Sequence, residues 1–200
     1  MQTAKIPPRL GSSEVVREAY ELLTAKHAGQ RQKVNGRPYV EHPVAVAADV
    51  AAAGFDADLV AAALLHDIVE DSDLSVADVR DIFGERIAAL VDAMTDPGEI
   101  EPYERRKAVH RERVLAAGPD AMAIFAADKL NNVRALRAAY AEEGEEVVRR
   151  FTQPLDVKLR VWEADAKTVS ARAPDLPYAP LLAHEVEALL ADRASRRREA

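Results

Sequence analysis

Four residues that could bind a metal ion come from three separated parts of the sequence. They are His42, the adjacent pair His66 and Asp67, and Asp128. Two imidazoles and two carboxylates, without a thiolate, form a nitrogen and oxygen donor set that suits Mn²⁺, Fe²⁺ or Zn²⁺. Because one adjacent pair cannot complete a coordination shell, the three parts must meet in the fold. The sequence therefore predicts a mixed metal centre built from distant segments.

Two further carboxylates follow closely in the stretch "LLHDIVED". Glu70 and Asp71 come three and four residues after Asp67, so in a helix they share its face. Acidic groups at a helix C-terminus oppose the macrodipole by about 0.3–1 kcal/mol each, which a nearby cation would offset. Carboxylates beside a metal-activated water suit the hydrolysis of a phosphoanhydride or phosphoester. The alternative is an exposed acidic helix end.

Each candidate also has an ordinary structural interpretation. His42 could cap the helix that Pro43 begins, and Asp128 could pair with Lys129 or Arg134. A single His-Asp dipeptide is common on protein surfaces, but the order H…HD…D between apolar helices favours the metal centre. His110, in "RRKAVHRERV", is predicted to lie on a solvated helix face.

The elements that must position these residues are predicted to be helices. Apolar residues recur at helical spacing, glycine and proline separate the segments, and no stretch alternates with a period of two. The class is therefore all-α, with the metal centre between core helices. The predicted helices start near Ser13, Pro43, Asp58, Ser75, Ile87, Pro102, Asp120 and Pro154, with one more after Pro180.

Composition limits the classes of function. The 200 residues fit one domain, predicted as 1–174, with 175–200 as a terminal helix and basic tail that is not an independent domain. A net charge of −7 argues against a main role in binding nucleic acid or an anionic membrane. The tail arginines 193 and 196–198 fit a frayed solvated terminus, or less readily nucleic-acid binding. The sequence leaves the oligomeric state open.

Cysteine is absent from the sequence. This excludes disulfides, thiolate zinc sites and a cysteine nucleophile, and it suits a reducing compartment. The N-terminus has no apolar signal region, and no apolar run is long enough for a membrane span. We therefore expect a cytoplasmic protein.

Longer motifs around the candidate residues carry a family resemblance. The sequence "HAGQRQKVNGRPYVEHPVAVA", the sequence from "AALLHDIVED" to "VDAMTD", and "AADKLNNVRAL" resemble the hydrolase domain of RelA/SpoT-type enzymes. That domain belongs to the HD superfamily of metal-dependent phosphohydrolases. The resemblance covers about residues 15–160, and in length the chain is similar to the stand-alone small alarmone hydrolases. The motifs HDxVED and ADKLxNxR are much more specific than His-Asp alone.

The resemblance implies an HD-domain helical bundle and an activity. The activity is removal of the 3′-pyrophosphate from guanosine 3′,5′-bis(diphosphate) and its pentaphosphate relative, so the implied partner is a small guanine nucleotide. It implies Glu70 and Asp71 as the catalytic pair, Asn132 near the nucleoside and Lys33 at the base. It implies one Mn²⁺ ion, with Fe²⁺ or Zn²⁺ as alternatives. The implied ligands are His42, His66, Asp67 and Asp128.

Two positions depart from the pattern of these relatives. Gln32 stands where an arginine precedes the lysine, and Ala135 replaces a small hydroxyl residue. Glutamine can hydrogen-bond a base edge but cannot stack as a guanidinium does, so we expect weaker base discrimination. Two other interpretations stay open: an HD phosphatase acting on a 5′-nucleotide or on the 2′-phosphate of NADPH, and a non-catalytic nucleotide-binding module. The Glu70 and Asp71 pair argues against the module.

Overall fold

The computed structural model describes residues 6–199, and these residues form helices joined by short loops. Within that range there is no β-strand, only one isolated bridge between Arg31 and Pro38, so the all-α prediction is confirmed. The same range contains no helix long and apolar enough to cross a membrane. The helices are α1 (Glu14–Lys26), α2 (Glu41–Ala52), α3 (Ala57–Leu64), α4 (Ile68–Asp71), α5 (Val76–Phe83), α6 (Glu85–Met94), α7 (Tyr103–Ala117), α8 (Pro119–Glu143), α9 (Leu155–Arg172) and α10 (Ala179–Glu199). Two 3₁₀ helices, Pro8–Leu10 and Gly144–Arg150, were not predicted.

Helix α8 is the centre of the bundle. It contacts α2, α6, α7, α9 and α10, and its residues 121–130 are all buried. A helix that is buried on every side must be enclosed by other elements, as this part of α8 is. Gly118, with φ 99°, lets the chain turn sharply between α7 and α8. Asp128 therefore lies in the core, on the buried part of α8.

The metal-ligand segment is not one continuous helix, and this corrects a prediction. Helix α3 ends at Leu64, residues 65–67 form a turn, and α4 begins at Ile68. Glu70 and Asp71 consequently lie in the first turn of a new short helix, not in the last turn of a long one. Because α4 is a single turn of four residues, it has no extended macrodipole for these carboxylates to oppose, so the predicted conflict does not arise.

The predicted N-terminus of α5 is confirmed as a capping box. The backbone N–H of Asp78 donates to Ser75 Oγ at 3.2 Å, and the backbone N–H of Ser75 donates to Asp78 Oδ2 at 2.8 Å. Reciprocal bonds of this kind satisfy two helix-end donors, and such a cap contributes about 0.5–2 kcal/mol. The cap fixes the helix that follows the acidic segment.

The C-terminal helix packs on α8 and α9 through Leu182, Val186 and Leu189, which are buried. The prediction of a solvated tail is wrong for Arg193, which is buried, whereas Arg196, Arg197 and Arg198 are exposed. Arg193 is buried, donates to Glu145 at 3.2 Å and also pairs with Asp156, and Arg196 donates to the carbonyl oxygen of Ala141 at 2.6 Å. Arg193 and Arg196 are thus bound within the protein.

Candidate functional site

The four predicted metal ligands come together at the junction of α2, α3 and α8. His42 Nε2 lies 3.2 Å from Asp128 Oδ1 and 3.8 Å from Asp67 Oδ2. His66 Nε2 lies 3.2 Å from Asp67 Oδ2 and 3.7 Å from Asp128 Oδ1. Ligand atoms of His42, His66 and Asp128 all lie within 4.8 Å of one another, a spacing that one ion could bridge. The sequence prediction that these segments meet is correct.

The ring of His66 is oriented for coordination. Its Nδ1–H donates to the carbonyl oxygen of Ala63 at 2.8 Å, which in a neutral ring leaves the lone pair on Nε2. The side chain is 1% exposed, and Nε2 has no hydrogen-bond partner among the described residues. A buried nitrogen fixed in this tautomer is the usual arrangement of a metal-bound histidine. The residues present therefore fit a divalent cation.

The charges of the cluster also favour a bound cation. Burial alone would lower the pKa of His66, but the carboxylates of Asp67 and Asp128 raise that pKa well above its usual value. Burial would raise the pKa of Asp128, yet Lys129, His42 and His66 hold it well below the usual range. Two ionised carboxylates thus remain in a buried site that attracts positive charge. A divalent cation can meet that demand in place of the imidazole proton.

Asp128 is supported by its neighbours on α8. Lys129 Nζ donates to Asp128 Oδ2 at 2.6 Å, and Asn132 Nδ2 donates to Oδ1 at 2.5 Å. The pairing with Lys129 was the structural alternative for Asp128, and it coexists with the imidazole contacts. Arg134, the other suggested partner, instead donates to Glu185 at 3.3 Å. Asn132 faces the cavity while its amide orients Asp128.

Tyr39 is a residue of the site that sequence reasoning missed. Its hydroxyl donates to Asp67 Oδ2 at 2.5 Å, and its ring stacks on His27 with centroids 4.7 Å apart. His27 is buried, and its Nδ1 lies 2.6 Å from Gln30 Oε1. The loop before α2 thus fixes one oxygen of a candidate ligand. Its "RPYVEHP" sequence offered a signal, since Tyr39 lies one helical turn before His42.

The predicted catalytic pair lies beside the metal cluster. Glu70 and Asp71 both line the cavity in front of it, and the backbone N–H of Asp96 donates to Glu70 Oε1 at 2.8 Å. Desolvation of the Glu70 carboxylate and the negative charge of Asp67 raise the pKa of Glu70 to about 7. A carboxylate with that pKa can accept or give up a proton near neutrality.

The cavity has a volume of about 500 Å³ and combines the acidic cluster with cationic side chains. Lys33, Lys107, Lys129 and Arg31 are among its lining residues. Arg37 and Arg134 instead line a neighbouring depression. The cavity can therefore hold an anion although the protein is acidic overall.

The loop that carries Lys33 is a tight hairpin. Gln32 Nε2 donates to the carbonyl oxygen of Pro38 at 3.2 Å, and Arg31 Nη1 donates to that of Gly36 at 2.8 Å. Both side chains line the cavity, but their donors hold the loop closed. Lys33 makes no hydrogen bond or ion pair within residues 6–199, so its ammonium is available to a ligand.

His110 does not lie on a solvated face, so that prediction is wrong. The side chain is 3% exposed, lies edge-on to Phe125 at 5.8 Å between centroids, and lines the cavity. Burial, together with the charges of Lys129 and Lys107, lowers the pKa of His110 to about 4. The sequence did not predict this inward face, because His110 is surrounded by charged residues and α7 has few apolar residues that would indicate which side is buried.

The comparisons with known proteins agree with this geometry. The HD domain model matches residues 19–157. A guanosine-3′,5′-bis(diphosphate) 3′-pyrophosphohydrolase of Aquifex aeolicus is 34% identical over 155 residues, which cover 75% of this chain and 22% of that protein. A GTP pyrophosphokinase of Streptomyces coelicolor is 31% identical over 96% of this chain and 23% of its own length. The chain thus spans about a fifth of the length of these curated relatives.

A solved structure is similar over nearly its whole length. It is described as a metazoan ortholog of SpoT that hydrolyses ppGpp, and it matches with a TM-score of 0.70 and 28% identity over 92% of this chain and 96% of that one. The resemblance inferred from the sequence motifs is therefore confirmed. Because the matched model covers well over half of the residues and the His-Asp cluster lies within it, the chain belongs to the HD domain family.

Proposed function

We propose that this protein hydrolyses the 3′-pyrophosphate of guanosine tetra- and pentaphosphate, releasing GDP or GTP and pyrophosphate. The observation that carries the proposal is one cavity lined by an imidazole-carboxylate cluster, two further carboxylates and several lysines. Such a cavity suits a strongly anionic substrate and the attack of water on phosphorus. The names of the Aquifex relative and of the metazoan structure support the same substrate.

The metal would be held by His42, His66, Asp67 and Asp128. We propose Mn²⁺, with Fe²⁺ or Zn²⁺ as alternatives, because the donor set is mixed nitrogen and oxygen. When bound, such an ion polarises the reacting phosphoryl group and makes water more acidic. Asp67 comes from the turn before α4, and Asp128 comes from the centre of α8. The site therefore depends on the packing of distant helices.

Glu70 and Asp71 would transfer the protons of the reaction. Water adds at the phosphorus attached to the 3′ oxygen, the bond between them breaks, and that oxygen is protonated as pyrophosphate leaves. Glu70 is suited to take the proton from water, because its pKa of about 7 allows it to be ionised at neutral pH. The Asp96 backbone N–H fixes Glu70 Oε1 and leaves Oε2 for the proton.

The nucleoside would lie near Lys33 and Asn132. Gln32 and Arg31 are hydrogen-bonded within their own loop, so neither supplies a stacking guanidinium without opening it. For this reason a second candidate is retained, a phosphatase acting on NADPH or on a nucleoside monophosphate. The two candidates share the metal site and differ at the base.

A product assay separates these candidates. The Mn²⁺-loaded protein is incubated with guanosine tetraphosphate, and the products are separated by ion exchange. We expect GDP and pyrophosphate in equal amounts, and neither product after chelation. Absence of both, together with orthophosphate released from NADPH or a nucleoside monophosphate, would favour the second candidate.

A conservative change at Tyr39 tests the ligand role of Asp67. Tyr39→Phe keeps the ring on His27 but removes the donor to Asp67 Oδ2. Since partners of metal ligands typically contribute 10- to 100-fold to metal affinity, we expect the affinity for Mn²⁺ to fall by about tenfold or more. Calorimetric titration measures it. Tyr103→Phe is the matched control, because the Tyr103 hydroxyl has no hydrogen bond within residues 6–199. Equal affinities of the two variants would argue against Asp67 as a ligand.

A further inference from the structure

Lys158, on α9, is a cation surrounded by aromatic rings and without an anionic partner. Its Nζ lies 4.8 Å from the centroid of Phe151, 5.3 Å from Trp162 and 6.0 Å from Tyr103. Within residues 6–199 it makes no hydrogen bond or ion pair. Ring faces attract an ammonium but do not neutralise it. The Lys158 ammonium therefore lacks a negative charge to balance its own.

Neighbouring lysines add further positive charge around Lys158. Burial and the charges of Lys107, Lys129 and Lys33 lower the pKa of Lys158 to about 8. Lys107 has Asp96 at 2.5 Å and Lys129 has Asp128 at 2.6 Å, whereas Lys33, like Lys158, has no such partner among the described residues. An anion bound between the two unpaired lysines would relieve their repulsion.

One of the unpaired lysines lines the candidate site, and the other contacts a residue of its wall. Lys33 and the ring of Phe151, which Lys158 contacts, line the same cavity as Glu70 and Asp71. Burial and three lysines account for the shifted pKa of Lys158, and no carboxylate of the metal cluster contributes. Among the described residues, Lys158 makes no hydrogen bond or ion pair with the candidate metal ligands or with Glu70 and Asp71, so its ammonium is placed for a part of the substrate other than the reacting phosphorus.

We infer that Lys158 binds the phosphate chain that is not hydrolysed, namely the 5′-diphosphate of the substrate, next to the nucleoside that Lys33 contacts. The inference rests on the proposed function, because it requires a substrate with phosphates at two positions. The metal cluster receives the 3′-diphosphate, and the Lys158 subsite receives the other end of the molecule. Lys158 then determines specificity for a doubly phosphorylated nucleoside and takes no part in the chemical step.

The test compares two substrates that share the reacting group. One is guanosine 3′,5′-bis(diphosphate), and the other is guanosine 3′-diphosphate with a free 5′-hydroxyl. Lys158→Met keeps an unbranched apolar stem against the rings and removes only the charge. Lys167→Met is the matched control, because Lys167 lies on the same helix with its side chain 79% exposed.

We expect Lys158→Met to lower kcat/KM about tenfold or more for the bis(diphosphate), mainly by raising KM, since charged hydrogen bonds to phosphate are among the strong ones. For the 5′-hydroxyl compound the change should stay within about twofold. Lys158→Arg should restore most of the loss, and Lys167→Met should resemble the wild type with both substrates.

The outcomes separate the two proposals. Equal losses on both substrates, or no loss on either, would overturn the Lys158 inference and leave the proposed function standing. If the wild type hydrolyses neither compound, the proposed function fails and the inference fails with it. Thermal melting checks that each variant is folded. Should Lys158→Met not fold, Lys158→Gln is measured with the same pair of substrates and judged by the same criterion.

Discussion

Replacing Asp128 with alanine is expected to abolish hydrolysis of guanosine tetraphosphate and the binding of Mn²⁺. Asp128 is the candidate ligand supplied by the central helix, and its Oδ1 lies 3.2 Å from His42 and 3.7 Å from His66. A bound cation contributes several kcal/mol of charge stabilisation, and about 1.4 kcal/mol corresponds to a tenfold change in rate. The loss of kcat/KM should therefore be at least about 10³-fold, with elemental analysis showing little metal.

The alanine variant also removes the partner of Lys129, a buried cation at 2.6 Å from Asp128. Breaking a buried ion pair from one side can cost about 3–5 kcal/mol of stability, so failure to fold could imitate failure to bind metal. Asp128→Asn keeps the shape and the acceptor oxygen and should be tested beside it.

Asp120→Asn is the matched control, because Asp120 lies on the same helix in an exposed pair with Arg86. Exposed pairs contribute about 0–1 kcal/mol, so this variant should retain metal and activity. Full activity of a folded Asp128→Asn protein after metal removal would refute the proposed metal centre.

The site could be predicted from the sequence to the extent that its residues carry chemistry. Histidine and aspartate in an apolar setting have few structural reasons to be there, so His42, His66, Asp67 and Asp128 were identifiable before the packing was known. Their convergence required only that the apolar faces of α2, α3 and α8 pack together. The sequence thus predicted which residues meet, although not the supporting contacts from Tyr39.

The errors arose where tertiary contacts override local pattern. The helix is interrupted at residues 65–67 although "LLHDIVED" has no glycine or proline. There the buried His66 Nδ1 donates to the carbonyl oxygen of Ala63 and the Asp67 carboxylate accepts from Tyr39, and both contacts lie outside a regular helix. His110 faces the interior although its helix is highly charged. Arg193 pairs with Glu145 and Asp156, which are distant from it in sequence. In the sequence, nothing distinguishes Lys158 from a solvated lysine, because its contacts with Phe151 and Trp162 are visible only in the structure.

Replacing Glu70 with glutamine should separate catalysis from metal binding. The amide keeps the shape of the side chain and an oxygen to accept the Asp96 backbone N–H, so the loop should stay in place. It cannot take a proton from water. Since acid–base groups usually contribute about 10²–10⁴-fold, kcat should fall by that factor while the Mn²⁺ content stays near that of the wild type. Glu104→Gln, at an exposed glutamate paired with Arg160, is the matched control and should keep full activity.

The pH dependence of Glu70→Gln gives a second and independent measure of its role. A general base must be ionised, so the wild-type rate should rise with pH through the pKa of Glu70, which is about 7. A bound cation favours the carboxylate form, so the observed limb should lie at or below that value. In Glu70→Gln the residual rate should lose this limb, whereas a residue that only shapes the loop would lower the rate and leave the limb unchanged. Parallel losses of metal and activity would instead make Glu70 a metal ligand, and Asp71 would then be the remaining candidate for proton transfer.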